Sequence, residues 1–337
     1  MKLENHEINK FSLVKEMFET VEIIRNYDSS IIESLSLKVS DSKNFLLTGE
    51  GSSRIFPAKR LIDFSLKNKL YFNLHTEGSL QSIDYDLADF TVIAVSNSGK
   101  TAEAVRLLKS LKNKGHNNLF SIIANPDTPL EELAVESILL SSGTEKAVAA
   151  SKSVMEQALI YDLLFRKISG MPMPDFNKLA DKIQEALELG INDEIIENLC
   201  NAQNIFVAGR NNGVSEELAL KTIEITRKKS FFLEGTYALH GIEEVLTEKD
   251  ALIIVDPFAE EENKFKSLLM DKIGIPVYAI SHEESIFDSI KLPLMEGFNE
   301  YIQLAAGWNM LVNIGIKSGV NIDKPLRARK IGNEFVG

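Results

Sequence analysis

Cysteine is almost absent from this sequence, and long apolar runs are absent altogether. The 337 residues include one cysteine, Cys200, so an intrachain disulfide cannot form and a thiolate metal site is not expected. No apolar run approaches the ~20 residues that span a bilayer. The N-terminal stretch MKLENHEINK also lacks the apolar segment of a signal peptide. We therefore expect a cytoplasmic protein that contacts no membrane and holds no metal.

Positive charge is also in short supply. Lysine and arginine number 37 against 49 aspartates and glutamates, which gives a net charge of −12. Nucleic-acid-binding domains usually present basic surfaces, so no nucleic-acid partner is expected. A small anion can still be bound, because helix N-termini and backbone N–H groups hold phosphate even inside acidic proteins. The expected partners are a small molecule and another copy of this chain, with no cofactor.

What the sequence does contain is an alternation of apolar, β-rich runs with helical patterns. Helical stretches such as 53–66 and 101–113 separate most of the runs, and a long helical pattern over 146–168 follows them. Such alternation predicts an α/β fold, in which helices cover both faces of a parallel sheet. The runs of the first half are 45–48, 69–73, 90–95, 119–124 and 135–140.

The same alternation occurs twice. Ser169-Gly-Met-Pro-Met-Pro174 interrupts the periodicity as a linker does. Each half starts with a strand and a glycine-containing loop, TGEGSSR in the first and AGRNNGVSEE in the second. We interpret the chain as two tandem doubly wound domains of the three-layer αβα, flavodoxin-like kind. The later runs are 204–208, 251–255, 276–280 and 290–294, followed by a helix over 299–318; the predicted boundaries are N-terminal helices over 1–40, a first domain over 41–170, linking helices over 171–200 and a second domain over 201–337.

The loop AVSNSGKT, at residues 94–101, is the first candidate site. A nucleotide-binding P-loop needs a glycine five residues before Gly99, and that position is Ala94, so the spacing excludes a P-loop. Hydroxyls and N–H groups at a strand-to-helix junction suit a phosphate monoester. The candidate ligands are Ser96, Asn97, Ser98 and Thr101. The alternative is that Ser98 and Thr101 only cap the following helix.

Two further loops are predicted to reach the same edge of the sheet. Ser52 and Ser53 belong to GEGSS, which follows the first strand, and ligands of doubly wound sheets lie where such loops converge. Val148 and Ala150 belong to GTEKAVAASK, whose small residues let a ligand approach the backbone. A tight turn explains the first loop equally well, and helix packing explains the second.

At this point the motifs resemble a known family. SNSGKT is similar to the S-x-S-G-x-T signature of the sugar isomerase (SIS) domain, which binds phosphosugars, and GEGSSR and GTEKAVAASK match two more of its loops. AGRNNG, ALKTIEIT, ALHG and DKPLRARK extend the match into the second half. The resemblance covers about residues 40–335. It is greatest to the isomerase half of glucosamine-6-phosphate synthase and to the SIS-type glucosamine-6-phosphate deaminases.

The resemblance implies three catalytic residues. Glu224 stands where the family has the glutamate that shuttles a proton between C1 and C2, and His240 where it has the ring-opening histidine. Lys330 stands where the family has the lysine that acts on the open-chain carbonyl. The chemistry suits these residue types, because enediol formation needs a base, ring opening a group that titrates near neutrality, and the carbonyl an amine. Taken singly, each has an ordinary alternative as a surface, structural or tail residue.

The chain also departs from the family pattern. The family more commonly reads E-x-x-H-G-P around the histidine, whereas Tyr237 to Ile242 lacks both the acid and the proline. The second half has Val255-Asp-Pro-Phe-Ala-Glu where the hydroxyl loop would stand, so we expect one phosphosugar site per chain. The resemblance also implies a homodimer with the site at or near the subunit interface. The chain begins MKLEN and its cysteine lies mid-chain, so glutamine-driven synthesis is not expected.

The sequence thus predicts an enzyme that acts on a sugar phosphate. The favoured reaction is deamination of glucosamine 6-phosphate to fructose 6-phosphate and ammonia. Two alternatives stay open: another aldose–ketose isomerisation or a deglycase reaction through the same enediol, and a non-catalytic phosphosugar sensor.

Overall fold

A computed structural model of the chain describes residues 1–2, 6–330 and 332–336. The chain divides into two compact units, each discontinuous in sequence. We call Glu22–Lys146, Ala150–Asn177 and Arg327–Gly337 the first-sheet unit. The second-sheet unit comprises Met1–Val21, Ala147–Ala149 and Lys178–Leu326. The contiguous domain boundaries drawn from the sequence stay a prediction.

The first sheet has five parallel strands in the order β2-β1-β3-β4-β5. Every residue of β3 and β4 is buried, as expected for central strands that helices cover on both faces. The order reverses between β1 and β3, so the loops after these two strands lie side by side. The strands are β1 (Asn44–Gly49), β2 (Asn73–His75), β3 (Thr91–Ser96), β4 (Leu119–Ile123) and β5 (Glu136–Leu139).

The second sheet repeats this plan with the order β10-β9-β8-β6-β7, which is the first order read from the other edge. All its pairings are parallel. The predicted tandem doubly wound architecture is therefore confirmed. The strands are β6 (Asn204–Gly209), β7 (Lys229–Glu234), β8 (Ala251–Val255), β9 (Val277–Ser281) and β10 (Asp288–Lys291).

Helices connect the strands. The helix that follows the last strand of each sheet has most of its residues buried. Among the described residues, no helix is both long and apolar enough to cross a membrane. The helices are α1 (His6–Asn9), α2 (Ser12–Arg25), α3 (Glu33–Val39), α4 (Ile55–Lys67), α5 (Ser79–Ser82), α6 (Ala102–Asn113), α7 (Pro129–Leu133), α8 (Lys152–Ile168), α9 (Phe176–Glu188), α10 (Asp193–Asn201), α11 (Val214–Thr226), α12 (Glu262–Phe265), continued by a π-helix over Lys266–Ile273, and α13 (Asn299–Lys317); short 3₁₀ turns lie at Ser29–Ile32, Gly51–Ser53, Tyr237–Leu239 and Ile242–Glu244.

The secondary structure predicted from the sequence was wrong at four places. The run 69–73 is not a strand: Lys69 takes a left-handed turn with φ 55°, and β2 begins only at Asn73. Strand β7 was missed, because its charged ends conceal an alternating burial pattern. The helix predicted from residue 146 begins at Lys152, since the preceding small residues form a loop. Strand β10 lies two residues before the predicted run, which Pro293 interrupts.

Candidate functional site

The hydroxyl loop, Ser96–Thr101, gathers three side-chain hydroxyls at the carboxyl end of β3. Ser96 Oγ lies 2.7 Å from Thr101 Oγ1 and 3.4 Å from Ser98 Oγ. Ser96 Oγ also accepts the Gly99 N–H at 3.1 Å, and Ser98 Oγ accepts the Lys100 N–H at 3.1 Å. The loop is thus folded around its own hydroxyls.

Helix capping does not account for these hydroxyls. Thr101 is the residue before α6, yet its side chain makes no capping hydrogen bond and turns to Ser96 instead. The Lys100 ammonium lies 3.8 Å from Glu334 and is well exposed. Ser96 Oγ thus contacts the other two hydroxyls of the loop, whereas the Lys100 side chain is exposed.

Gly99 allows the loop to turn this tightly. Its φ is +69°, and a Cβ built there would lie 2.3 Å from Thr128 Oγ1. Both facts exclude a side chain, because the left-handed region disfavours L-residues and the space is filled. The sequence signature S-x-S-G therefore has a steric basis in this chain.

The C-terminal tail, residues 327–336, pairs with the hydroxyl loop inside the first-sheet unit. The Ala102 N–H donates to Asn333 O at 2.9 Å, and the Phe335 N–H donates to Lys100 O at 2.9 Å. The Asn333 amide donates to Glu103 Oε1 at 2.7 Å. The Phe335 ring packs against an apolar cluster that includes Ala104 and Leu108. The tail is a structural part of the loop and of the first turn of α6.

The predicted second loop forms the 3₁₀ turn Gly51–Ser53, at the end of β1. Because Gly49 pairs with Val95, this turn lies next to the hydroxyl loop at the reversal of strand order. Ser52 and Ser53 are both half-buried. Helix α8 packs against the same turn. The structure thus brings Ser52 and Ser53 to the edge where Ser96 and Ser98 lie.

The third loop, which leads into α8, is held by buried carboxylates. Glu145 Oε1 accepts the Ser151 N–H at 2.8 Å and the Ser153 N–H at 3.2 Å, and so caps α8 from outside the helix. Ala150, in this unit, is half-buried. In the second-sheet unit, Glu16 Oε2 accepts the Ala147 N–H at 3.3 Å, and Val148 is half-buried between two buried alanines. Val148 therefore belongs to the second-sheet unit and Ala150 to the first-sheet unit.

Lys330 lies in the tail and pairs with Glu145. The ammonium is 2.8 Å from Glu145 Oε2; the carboxylate side chain is fully buried and the lysine side chain is 28% exposed. Burial would raise the pKa of Glu145, but Lys330 and the Ser151 and Ser153 N–H groups outweigh it, and the pKa is lowered. Sequence reasoning did not single out Glu145, because a glutamate in a loop of small residues resembles a surface residue.

Glu224 lies in the last turns of α11, with a carboxylate that is 26% exposed. Its Oε2 accepts from the ammonium of Lys221 at 2.6 Å. Lys221 is buried and is also 3.3 Å from Glu217 Oε1, whose side chain is wholly buried. Sequence reasoning missed Lys221 and Glu217. The spacing E-x-x-x-K-x-x-E was the available signal, because residues three and four apart share a helix face.

His240 follows the 3₁₀ turn Tyr237–Leu239 and is exposed. Among the described residues no hydrogen bond or ion pair joins His240 to Glu224, although both belong to the second-sheet unit. In the same unit Asp256 pairs with Arg210 Nε at 2.8 Å, and the Arg210 guanidinium stacks on Phe258 at 4.2 Å. The loop after β8 therefore forms an ion pair with the residue that follows β6, whereas the loop after β3 carries hydroxyls.

The candidate residues fall into two groups. The first-sheet unit holds Ser52, Ser53, the hydroxyl loop, Ala150 and Lys330, and the second-sheet unit holds Val148, Glu224 and His240. Among the residues that the structure describes, no group of three or more His, Cys, Asp and Glu side chains could hold a metal ion.

The family model for the SIS domain matches residues 38–167. The chain is 27% identical, over 93% of its length, to a glutamine–fructose-6-phosphate aminotransferase (isomerizing) of Methanococcus maripaludis and covers 55% of that protein. It thus spans about half the length of this curated relative.

Solved structures share the fold over nearly the whole chain. The C-terminal domain of the Francisella tularensis glucosamine–fructose-6-phosphate aminotransferase has a TM-score of 0.78 at 18% identity, covering 94% of this chain and 98% of its own. Escherichia coli tagatose-6-phosphate ketose/aldose isomerase has a TM-score of 0.74 at 18% identity, and the match covers 96% of each chain. Thermotoga maritima glucosamine-6-phosphate deaminase has a TM-score of 0.70 at 19% identity, and the match covers 94% of this chain and 98% of the deaminase chain. Residues 38–167 are thus identified as a SIS domain, and the chain is homologous to the isomerase domain of glutamine–fructose-6-phosphate aminotransferase.

Proposed function

We propose that this protein deaminates glucosamine 6-phosphate to fructose 6-phosphate and ammonia. The observation that carries the proposal is the pair formed by Glu224 and the buried Lys221. A carboxylate held at one oxygen by an ammonium, yet partly exposed, is a positioned base beside accessible space. The hydroxyl loop supplies the phosphate-binding groups, because hydroxyl and N–H donors match the oxygens of a phosphate monoester.

The proposed reaction proceeds through an enediol-type intermediate. His240 assists ring opening, which gives an aldehyde at C1 and an amine at C2. Glu224 removes the proton from C2 and delivers it to C1, which yields the 2-imine of fructose 6-phosphate. Water adds to C2 and ammonia leaves, so one water is consumed for each ammonia released. Lys330 acts on the carbonyl by donating to its oxygen or by forming a Schiff base.

A simple aldose–ketose isomerisation is the nearest alternative, because the same proton transfer serves a neutral sugar phosphate. The fold similarity includes both a ketose/aldose isomerase and a deaminase, so the fold does not choose between them. A deglycase reaction uses the same intermediate. A sensor without turnover would need no base held by Lys221.

Ammonia and fructose 6-phosphate should be assayed after incubation with glucosamine 6-phosphate. We expect stoichiometric release of both by the wild type and none by Glu224→Gln. Isomerisation of neutral sugar phosphates without ammonia would favour the alternative. Tight binding without turnover of any sugar phosphate would reject the enzyme.

We further propose a homodimer with the site at or near the subunit interface. A Ser98→Leu chain mixed with a Glu224→Gln chain, and separately with a His240→Ala chain, tests this. If loop and partner residue come from different subunits of a two-fold dimer, random mixing restores about a quarter of the wild-type activity. Mixtures as inactive as their parents would place each complete site within one subunit. A monomer in sedimentation would reject the dimer.

A further inference from the structure

Glu145 connects the start of α8 with Lys330, which lies 185 positions after Glu145 and in the same first-sheet unit. Its two carboxylate oxygens have separate partners. Oε1 accepts from the backbone N–H groups of Ser151 and Ser153, at the start of α8. Oε2 accepts from Ser153 Oγ at 2.9 Å and from the Lys330 ammonium at 2.8 Å. One buried side chain therefore holds both the start of α8 and the tail lysine.

We propose that Glu145 is a positioning residue, which acts through Lys330 by fixing its ammonium beside the loop that carries Ala150. This role rests on the proposed function, in which Lys330 is the group that meets the sugar carbonyl.

The geometry favours a positioning role over a purely structural one. Lys330 lies in a tail whose preceding residues, 326–329, are exposed, whereas its ammonium pairs with a carboxylate that is fully buried. An ordered lysine loses about 2 kcal/mol of rotamer entropy, and a charge-assisted bond to a buried carboxylate offsets that loss. A catalytic group misplaced by ~1 Å can slow a reaction about 100-fold.

Glu156 provides a matched control. It is also fully buried, and it also holds the loop that precedes α8, since its oxygens accept the Ser141 N–H at 2.7 Å and the Ser142 N–H at 2.8 Å. Within the part of the chain that the structure describes, its hydrogen-bond partners are Ser141 and Ser142 on that loop, and none lies on the tail. Glu156→Gln should therefore reproduce any loss of loop stability without moving Lys330.

The first test needs no substrate. The rate at which acetic anhydride modifies Lys330, followed by peptide mass spectrometry, should rise about 10-fold to 100-fold in Glu145→Gln, as loss of a charged hydrogen bond predicts. Glu156→Gln should match the wild type. Equal rates in all three proteins would overturn the proposal. Should Glu145→Gln not fold by circular dichroism, Glu145→Asp, which withdraws the charge by one methylene, must show the rise instead.

The second test is kinetic. Glu145→Gln should lower kcat by about 10-fold to 100-fold and change KM little, because the phosphate-binding groups stay in place. Equal losses in Glu145→Gln and Glu156→Gln would show that only loop stability matters. A wild type that turns over no sugar phosphate would reject the proposed function, and the labelling test would still decide the role of Glu145.

Discussion

The ammonium of Lys221 lies between two carboxylates of its own helix, 2.6 Å from Glu224 and 3.3 Å from Glu217. The three residues differ sharply in exposure: Lys221 and Glu217 are buried, and Glu224 is not. Burial would lower the pKa of Lys221, but Glu224 and Glu217 outweigh it and the pKa is raised. The lysine therefore stays charged and links a buried anion to an accessible one.

The two glutamates should respond differently to loss of charge. Glu224→Gln removes the proposed base from a partly exposed position, so we expect turnover to disappear and stability to fall by about 1 kcal/mol. Glu217→Gln removes a buried charge from Lys221, so we expect a larger loss of about 3–5 kcal/mol in urea unfolding. Equal losses of stability and activity in the two variants would contradict this division.

Gly99→Ala should distort the hydroxyl loop. The added Cβ meets Thr128 Oγ1 at 2.3 Å and forces a left-handed residue, so we expect about 2–4 kcal/mol of destabilisation and weaker phosphate binding. Gly115→Ala is the control, because Gly115 has φ +82° but nothing within 4 Å of its Cβ. Gly115→Ala should show the effect of backbone strain without a steric clash. Chemical denaturation measures the stability of both variants. A Gly99→Ala protein as stable as Gly115→Ala would rule out the steric effect.

Ser98→Leu should weaken sugar-phosphate binding at least 10-fold, because it removes one of the hydroxyls of the loop. The fold should stay intact. Lys100→Ala should change affinity by less than about 2-fold, since Lys100 is exposed and faces Glu334. Isothermal titration with the sugar phosphate compares the two. Unchanged affinity in Ser98→Leu would indicate that the loop only precedes a helix.

Phe335→Ala should release the tail. The ring packs on the cluster around α6 and lies 5.7 Å from the Lys109 ammonium, so its loss removes the apolar anchor. We expect about 2–3 kcal/mol less tail stability and trypsin cleavage after Arg329 faster by at least 10-fold. Val336→Ala, at an 89% exposed position, should cleave like the wild type. Similar cleavage of both variants would mean that the backbone pairing alone holds the tail.

Acid should remove the contribution of Glu145 to stability. The folded state lowers the pKa of this carboxyl from its ordinary 4.5, so it binds its proton less readily folded than unfolded. Its contribution is therefore complete above pH 4.5 and is lost as pH falls through the lower folded value. The difference in unfolding free energy between wild type and Glu145→Gln should be constant at neutral pH and shrink below pH 4.5. A gap that widens in acid would contradict the assigned direction.

The sequence predicted the strands best where burial is continuous. Strand β3 and strand β8 are apolar throughout, and their runs stand out from the helices that flank them. The prediction of a strand over 69–73 was wrong because the apolar Phe72 does not pair in the sheet. Its ring packs edge-on against Phe45 and Phe165 instead. Burial alone does not reveal which apolar residues enter a sheet.

The site was predictable where its chemistry is local. The hydroxyls of Ser96, Ser98 and Thr101 lie within six positions, so their spacing points to a phosphate loop. Lys221 lies in a charged helical segment, EELALKTIEIT, and only the packing of α11 on α13 and on the second sheet buries it. The pairing of Lys330 with Glu145 spans 185 positions, and no local pattern encodes it.

During synthesis on the ribosome, the hydroxyl loop can pair with the tail only after nearly the whole chain has been made. Glu103 and its partner Asn333 are 230 residues apart, so at about 5–20 residues per second the loop waits on the order of 10 s or longer for the tail. During that time the apolar surface that Phe335 covers is exposed on the nascent chain. Translation that stalls before residue 333 should therefore leave a first sheet that is folded but open to chaperones at this edge.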